Sequence, residues 1–367
     1  MKNILYIGPY REHNGLGRSA KRYIDSLITN SNINLAIRPI YYTKKISIDD
    51  INIYNEFEEN SFSYYDAVIQ HGYPDTFEYN TSFGKHIGIV EIETRLFQHS
   101  GWVEKMNLLD EIIVGSIFSL NSCYESGVNK PIKINPCPYN ISKYTTQHPD
   151  FFTYQSGNRP FIFYTIGNYN EKKNIKNIIK AFLLAFNNND NVKLFIKTEH
   201  NEHENDSLNE LVEYDIAQIK KIIRKEHNET CDIDILCGDL KDIDIIRLHQ
   251  SSNCYINTVR ADGFGNSAIE AALADKLVIN TKNIGSNTYI NSTNGIIVDS
   301  ESTNVQSSSF YNKNIFTINE LWHEPNINSI IDAMRLAYQI DYDVKQKLVS
   351  NFNKSLFDEN AIGKMIL

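Results

Sequence analysis

The sequence predicts an α/β protein of two domains, each built on a doubly wound, mostly parallel sheet. Three observations carry this expectation. Residues 254–279 read as a buried apolar strand (Cys254-Tyr255-Ile256), a glycine loop (Gly263-Phe264-Gly265-Asn266-Ser267), a helix (Ala268 to Ala274) and a second strand (Leu277-Val278-Ile279), which is the repeating unit of such sheets. The amino terminus has the same order: an apolar strand over 3–7, a glycine-rich turn from Gly8 to Arg18, and a helix from Ser19 to Leu27 with Ala20, Tyr23, Ile24 and Leu27 at helical spacing. The chain of 367 residues is long enough for two cores of ordinary size.

Composition narrows the function. Apolar and charged fractions of 41% and 22% are those of a soluble globular chain. A net charge of −9 argues against general nucleic-acid binding, which needs a basic surface. The apolar runs fall short of a bilayer span, and the first residues read as a strand rather than a leader. The expected location is the cytoplasm, with peripheral contact at the inner face of a membrane left open. Cys123, Cys137, Cys231, Cys237 and Cys254 form no Cys-x-x-Cys pair and mostly sit in or beside apolar runs, as reduced buried thiols do. No His/Cys or His/Glu spacing matches a metal site, so no metal is expected.

In order along the chain, further strands are expected at 33–37, 65–70, 86–91, 110–116 and 132–136, and helices at 101–108 and 118–126, the second stopped by Gly127. Residues 136–160, rich in Pro, Ser, Thr and Asn, read as a linker. Strands at 161–167, 192–198 and 233–236 and helices at 175–186, 208–225 and 242–249 lead into the 254–298 block. Residues 299–315 read as a surface loop, followed by helices at 327–338 and 342–352. The expected domains are 1–145 and 158–342, with a carboxyl-terminal helix of about 343–367 returning to the first domain.

Several residues have chemistry suited to a ligand. Gly263 and Gly265 let the backbone approach closely, and amides at a helix start favour anionic or sugar oxygens. Asp262 and Glu270, eight positions apart, are acceptors for paired hydroxyls, as on a sugar and a ribose. Ser267 and Glu270 equally fit a capping box, with Ser267 as N-cap. Lys172 and Lys173 lie in a strand-to-helix turn, and Lys197 ends a strand; cations there can hold a diphosphate, although Lys172-Lys173 also fits a solvated turn. His71 ends a strand, where α/β folds bind ligands, or packs under the next turn. Glu91 and Glu93 flank a strand exit, and Glu93, the later of the two, is the candidate.

Taken together, Asp262-Gly263-Phe264-Gly265, Glu270-Ala271-Ala272, Val278-Ile279, Gly285 and Asn294-Gly295-Ile296-Ile297-Val298 resemble the signature of retaining GT-B glycosyltransferases of family four, the glycosyl transferases group 1. The resemblance implies two Rossmann-like domains facing a central cleft, and metal-independent transfer of a sugar from a nucleotide-sugar donor with retention of anomeric configuration. It implies no cofactor beyond the donor. Asp262 would touch the donor sugar, amides of Phe264, Gly265 and Asn266 would face the donor, and Glu270 would hold the ribose. Gly15 and Gly17 match the family's first loop, with Arg18 beside it as a phosphate or acceptor contact. Lys173 matches its diphosphate lysine, and related enzymes often carry a His near His71. Asp262 replaces the usual Glu, and Asn168 stands where an Arg is usual, so Lys197, Lys172 or Arg260 would substitute as the second cation. The acceptor is open among glycan, lipid-linked, protein and other hydroxyl groups, and the oligomeric state is open too. Two other readings share the architecture: a nucleotide-sugar epimerase and a non-catalytic partner subunit.

Overall fold

The computed structural model describes residues 1–43, 46, 52–97, 101–153, 159–200, 203–226, 229–305 and 320–366. The first sheet is built from β1 (Lys2–Gly8), α1 (Gly15–Ile28), β2 (Ile33–Pro39), α2 (Asn55–Glu59), β3 (Ala67–His71), β4 (Lys85–Val90), α3 (Trp102–Met106), β5 (Glu111–Val114), α4 (Ile117–Ser126) and β6 (Ile132–Ile134). Its six strands are parallel in the order β2-β1-β3-β4-β5-β6. After α5 (Ile141–Thr145) comes the second sheet: β7 (Phe161–Asn168), α6 (Ile175–Ala185), β8 (Val192–Glu199), α7 (Asn205–Ile223), β9 (Asp232–Cys237), α8 (Asp242–Ser251), β10 (Cys254–Asn257), α9 (Asn266–Leu273), β11 (Leu277–Thr281) and β12 (Ile296–Val298). It too is parallel and six-stranded, in the order β12-β11-β10-β7-β8-β9. This is the GT-B architecture of two Rossmann-like sheets. An antiparallel hairpin, β13 (Ser300–Asn304) with β14 (Leu321–Pro325), precedes α10 (Ile327–Gln339), α11 (Tyr342–Ser350) and α12 (Glu359–Met365). No described helix is long and apolar enough to cross a membrane.

The pattern of burial explains the elements. β5, β10 and β11 are buried along their whole length, as continuous apolar strands covered on both faces are. α1 buries Ala20, Tyr23, Ile24 and Leu27 on one stripe. One buried apolar cluster runs from Ile4 and Tyr6 of the first sheet through Tyr139, Phe264 and Phe357 to Tyr164 and Tyr255 of the second, so the two sheets share core as well as facing one another. In each sheet the strand order reverses beside β1 or beside β7, and the crevice outside the carboxyl ends of such strands is where α/β folds hold ligands.

Four sequence expectations change. Residues 136–160 contain a short helix, α5, and positions 154–158 lie outside the described residues. Residues 300–304, read as loop, form β13, which reaches its partner through register pairs such as Ser302 with His323; positions 306–319 lie outside the described residues. β4 ends at Val90, so Glu91 and Glu93 both follow the strand instead of straddling its end. The terminal segment forms two helices, and it is α12 that returns to α1. There Ser26 Oγ donates to the Glu359 carbonyl at 2.5 Å.

The chain crosses between the domains twice, near 139 and near 358, and the crossings are bonded to each other. Tyr139 N–H donates to the Phe357 carbonyl at 2.7 Å, and Glu359 N–H donates to the Tyr139 carbonyl at 3.2 Å.

The α12–α1 contact depends on a missing side chain. A Cβ on Gly363 would lie 2.2 Å from the Ser26 carbonyl oxygen. Gly363→Val is therefore expected to lower stability by about 1–3 kcal/mol through overpacking, read as a lower urea midpoint with an unchanged slope.

Candidate functional site

A cavity of about 280 Å³ lies between the two domains. It takes its walls from the loops after β1, β2, β3 and β4 on one side and after β7, β8 and β10 on the other. Of the residues singled out in the sequence, Gly15, Glu93, Asn168, Lys173, Lys197, Asp262 and Asn266 line it. Lys173 Nζ faces the Asp262 carboxylate across 3.8 Å. The turn that presents Lys173 is fixed locally: Asn170 Oδ1 accepts from Lys173 N at 2.9 Å, and Asn174 adopts a left-handed backbone (φ 59°) ahead of α6.

The 262–265 loop is held from within. Asp262 Oδ1 accepts from Gly265 N at 2.8 Å and from Phe264 N at 3.3 Å. Those two amides, expected to point at a ligand, are thus turned onto Asp262, an arrangement a short carboxylate makes with its own following backbone. Gly265 has φ 89° and is the N-cap of α9, a conformation that glycine adopts without penalty. Ser267 is therefore not the cap, and the capping box does not form. The Gly263 carbonyl accepts from Ser116 Oγ at 2.6 Å and Ser119 Oγ at 3.1 Å, both from the first domain. Phe264 is buried against Tyr289 and Phe357. Gly263, Phe264 and Gly265 thus form a floor fixed between domains and do not line the cavity.

Glu270 lies outside this cavity and borders a neighbouring one of about 270 Å³; Arg18 lines both. Its carboxylate is paired with Arg22 of the first domain at 2.5 Å and with His249 at 3.2 Å. His249 Nδ1 in turn meets the Tyr164 hydroxyl at 2.7 Å. Burial works against the Glu270 charge, but Arg22 and His249 outweigh it and hold the carboxyl at about 2. Each carboxylate oxygen can accept about two bonds, so Glu270 keeps capacity for a further donor. Arg22 also contacts Asn266 Oδ1 at 3.2 Å and stacks over the Tyr139 ring at 4.1 Å.

Other expected residues have different work. His71 is buried with Nδ1 against the Tyr6 hydroxyl at 2.6 Å, edge-on to the Tyr6 and Tyr23 rings. Burial pulls its pKa down to about 3, so it is neutral near pH 7 and packs behind the cavity wall. Gly17 stands in the first turn of α1, where a Cβ would come within 2.2 Å of the Glu12 carbonyl; its role there is close packing. Arg260 is paired with Glu324 and with Glu171 and lies beneath the surface, so it is not a spare cation. Lys172 bonds both oxygens of Glu93 at 2.6 and 2.7 Å, joining the domains. Lys197 is almost fully buried 3.6 Å from Glu199, and burial lowers its pKa.

Glu91 is the residue that sequence reasoning passed over. It lines the cavity beside Asp262 and Glu93. Burial first, then the two neighbouring carboxylates, raises its pKa to about 7, against bonds from Ser19 and Asn266 that favour the charged form. A Glu-x-Glu pair in a strand exit was the available signal, but it does not say which Glu turns inward. A grouping invisible in sequence spacing is His13, Glu199 and Asp239, whose ligand atoms lie within 4.8 Å of one another. His13 lies 3.4 Å from Asp239 and Lys197 stands 3.6 Å from Glu199, so both carboxylates already face basic side chains.

Residues 147–309 match the family model of glycosyl transferases group 1. Solved structures agree with this chain in fold. HepE of Anabaena, in complex with UDP and glucose, aligns over 100% of this chain and 98% of its own at 13% identity and a TM-score of 0.64. A structure of trehalose-6-phosphate from E. coli bound with UDP-2-fluoro glucose aligns over 99% and 98% at 9% identity and a TM-score of 0.68. A glycosyltransferase of Rickettsia africae aligns over 100% and 96% at 13% identity and 0.64. No curated protein matches the chain.

Two outcomes follow from the charges. Arg22→Ala leaves Glu270 buried without its main partner and is expected to cost about 3–5 kcal/mol in denaturant unfolding. In the parent chain the Glu270 carboxylate, with its pKa lowered from 4.5 to about 2, stabilises the fold above 4.5, and that contribution is lost as pH falls towards 2; the variant, already without it, should lose less stability than the parent between pH 4.5 and pH 2. For Glu91 the sign is opposite. A carboxyl raised from 4.5 to about 7 contributes stability at low pH that is lost as pH rises through 7. Glu91→Gln should therefore gain in melting temperature relative to the parent between pH 5 and pH 8.

Proposed function

We propose that the chain transfers a sugar from a nucleotide-sugar donor to an acceptor hydroxyl with retention of anomeric configuration. The observation that carries this reading is the facing pair Lys173 and Asp262, held in an interdomain cavity next to the group 1 glycine loop. In this reading Lys173 sits on the diphosphate as a point charge, and Asp262 accepts from a hydroxyl of the donor sugar. Lys172 is held by Glu93 at 2.6 Å and Arg260 is held by Glu324, whereas Lys197 stands more loosely, 3.6 Å from Glu199, and serves as the second cation along the diphosphate path. The nucleoside extends past Arg18 towards Glu270, whose remaining acceptor sites take the ribose hydroxyls.

The chemistry is a single-face exchange. The acceptor oxygen forms a bond to the anomeric carbon as the bond from that carbon to the diphosphate oxygen breaks. The proton of the acceptor hydroxyl passes to the departing diphosphate on the same face. The protein supplies positioning and charge stabilisation for the leaving group, and the step as written needs no metal and no side-chain nucleophile. UDP-sugars are the first donors to try, because the HepE and E. coli structures hold UDP and UDP-2-fluoro glucose.

The test is a panel of UDP-, GDP- and ADP-sugars followed by melting and by slow release of nucleoside diphosphate. One nucleotide series at a hundred times its Kd should stabilise the chain by about 2.7 kcal/mol, with release unaffected by a chelator. Lys173→Ala should lower kcat/KM by about 10²-fold or more while keeping the fold. If no nucleotide sugar stabilises the chain, the donor site is wrong and a non-catalytic subunit becomes the better reading.

A further inference from the structure

The cavity is not uniform along its length. Its cations, Lys172, Lys173, Lys197 and Arg18, lie on or against the second domain: Lys172 bonds Glu93, Lys173 faces Asp262, Lys197 faces Glu199, and Arg18 reaches Asp242 at 3.1 Å. The end formed by the first domain is different. Tyr42, Tyr73 and Trp102 make one continuous aromatic wall there: Tyr42 and Tyr73 are 4.7 Å apart edge to face, and Tyr73 and Trp102 stack at 6.1 Å with planes 23° apart. The wall is fixed by polar contacts at its rim, because Tyr42 Oη accepts from Tyr73 N at 3.0 Å and meets Thr76 Oγ1 at 3.0 Å. Glu91 and Glu93 line the same end, and the field of both reaches the Tyr73 phenol. Glu93 is neutralised by Lys172. Among the described residues no ion pair neutralises Glu91.

We propose that this end of the cleft binds the acceptor as a sugar unit free of phosphate and carboxylate groups. Its ring packs on the Tyr42–Tyr73–Trp102 wall, and its hydroxyls or an amine donate to Glu91 and Glu93. The proposal rests on the transferase reading and adds the acceptor class to it. Aromatic side chains present broad apolar faces with a polar tip, which suits the C–H face of a pyranose. Carboxylates accept from hydroxyls or from an ammonium but repel an anion. Of the two nearby lysines, Lys172 is spent on Glu93 and Lys173 faces Asp262 and is taken by the donor diphosphate in the transferase reading, so an anionic acceptor on the aromatic wall would enter beside Glu91 and Glu93 with no cation left to meet it. An ammonium on the sugar gains further from the ring faces.

The chain has two tryptophans, Trp102 and Trp322, and Trp102 lines this wall, so acceptor binding can be read by fluorescence without any donor. Trp322→Phe leaves Trp102 as the reporter; the unaltered chain with Trp102→Phe as the silent control serves if the first variant does not fold. The probes are methyl glucoside, maltose, glucosamine, glucose-6-phosphate and glucuronate. Expected is a saturable change with at least one neutral or amino sugar, and binding of both anionic sugars weaker by about a hundredfold. Tyr73→Ala should weaken the neutral or amino sugar by about tenfold while stabilisation by the nucleotide-sugar donor is retained. In turnover, the same sugars should accelerate nucleoside diphosphate release above its rate in water. Preference for glucose-6-phosphate or glucuronate overturns the proposal, as does no response to any sugar, or a Tyr73→Ala variant with unchanged affinity. Failure of the donor reading shows separately, as an absence of nucleotide-sugar stabilisation with sugar quenching intact.

Discussion

The site depends on the way the 262–265 loop is trapped. Asp262 turns its carboxylate onto the amides of Phe264 and Gly265, and two serine hydroxyls of the first domain close on the Gly263 carbonyl. These are neutral and charge-assisted bonds in a nearly dry interface, where each is stronger than in water and costly to leave unmade. The loop therefore serves two masters. Its backbone is an interdomain bolt, and the remaining face of Asp262 is what it shows to Lys173. A shorter acid in place of the usual Glu fits this arrangement, because its carboxylate reaches the loop amides three positions on.

Charge is distributed so that buried ions are matched across the cleft. Arg22 with Glu270, and Lys172 with Glu93, each join one domain to the other. Matching of this kind favours one registry of the two sheets over others, most of all at Glu270, whose buried carboxylate would be stranded away from water if its pair were broken. Glu91 is the exception. It has carboxylates as neighbours and holds a raised pKa, and unmatched groups in a cleft are commonly those with chemistry to do.

The parallel sheets were legible because apolar runs, glycine turns and caps are local signals. So were Asp262, Lys173 and Asn168, since ends of parallel strands converge whatever the details. Contacts made across the fold were not. Nothing near Glu270 announces Arg22, 248 positions away, and a His at a strand end looks like a site residue until Tyr6, 65 positions earlier, takes its nitrogen. β13, Ser-Glu-Ser-Thr-Asn, lacks the apolar alternation that marks a strand, and only its pairing with β14 makes it one. The loop amides failed for a different reason: a resemblance places the backbone but does not say which side chain will claim its hydrogens.

The bonded pair of crossings at Tyr139 and Asp358 has a mechanical consequence. Two separate tethers would let one lobe twist and slide against the other. Two segments joined side by side by one parallel bridge act instead as a single leaf, bending more readily about one line than twisting. The line of these bonds thus fixes the one axis about which Lys173 and Glu91, on opposite lobes, can change their separation.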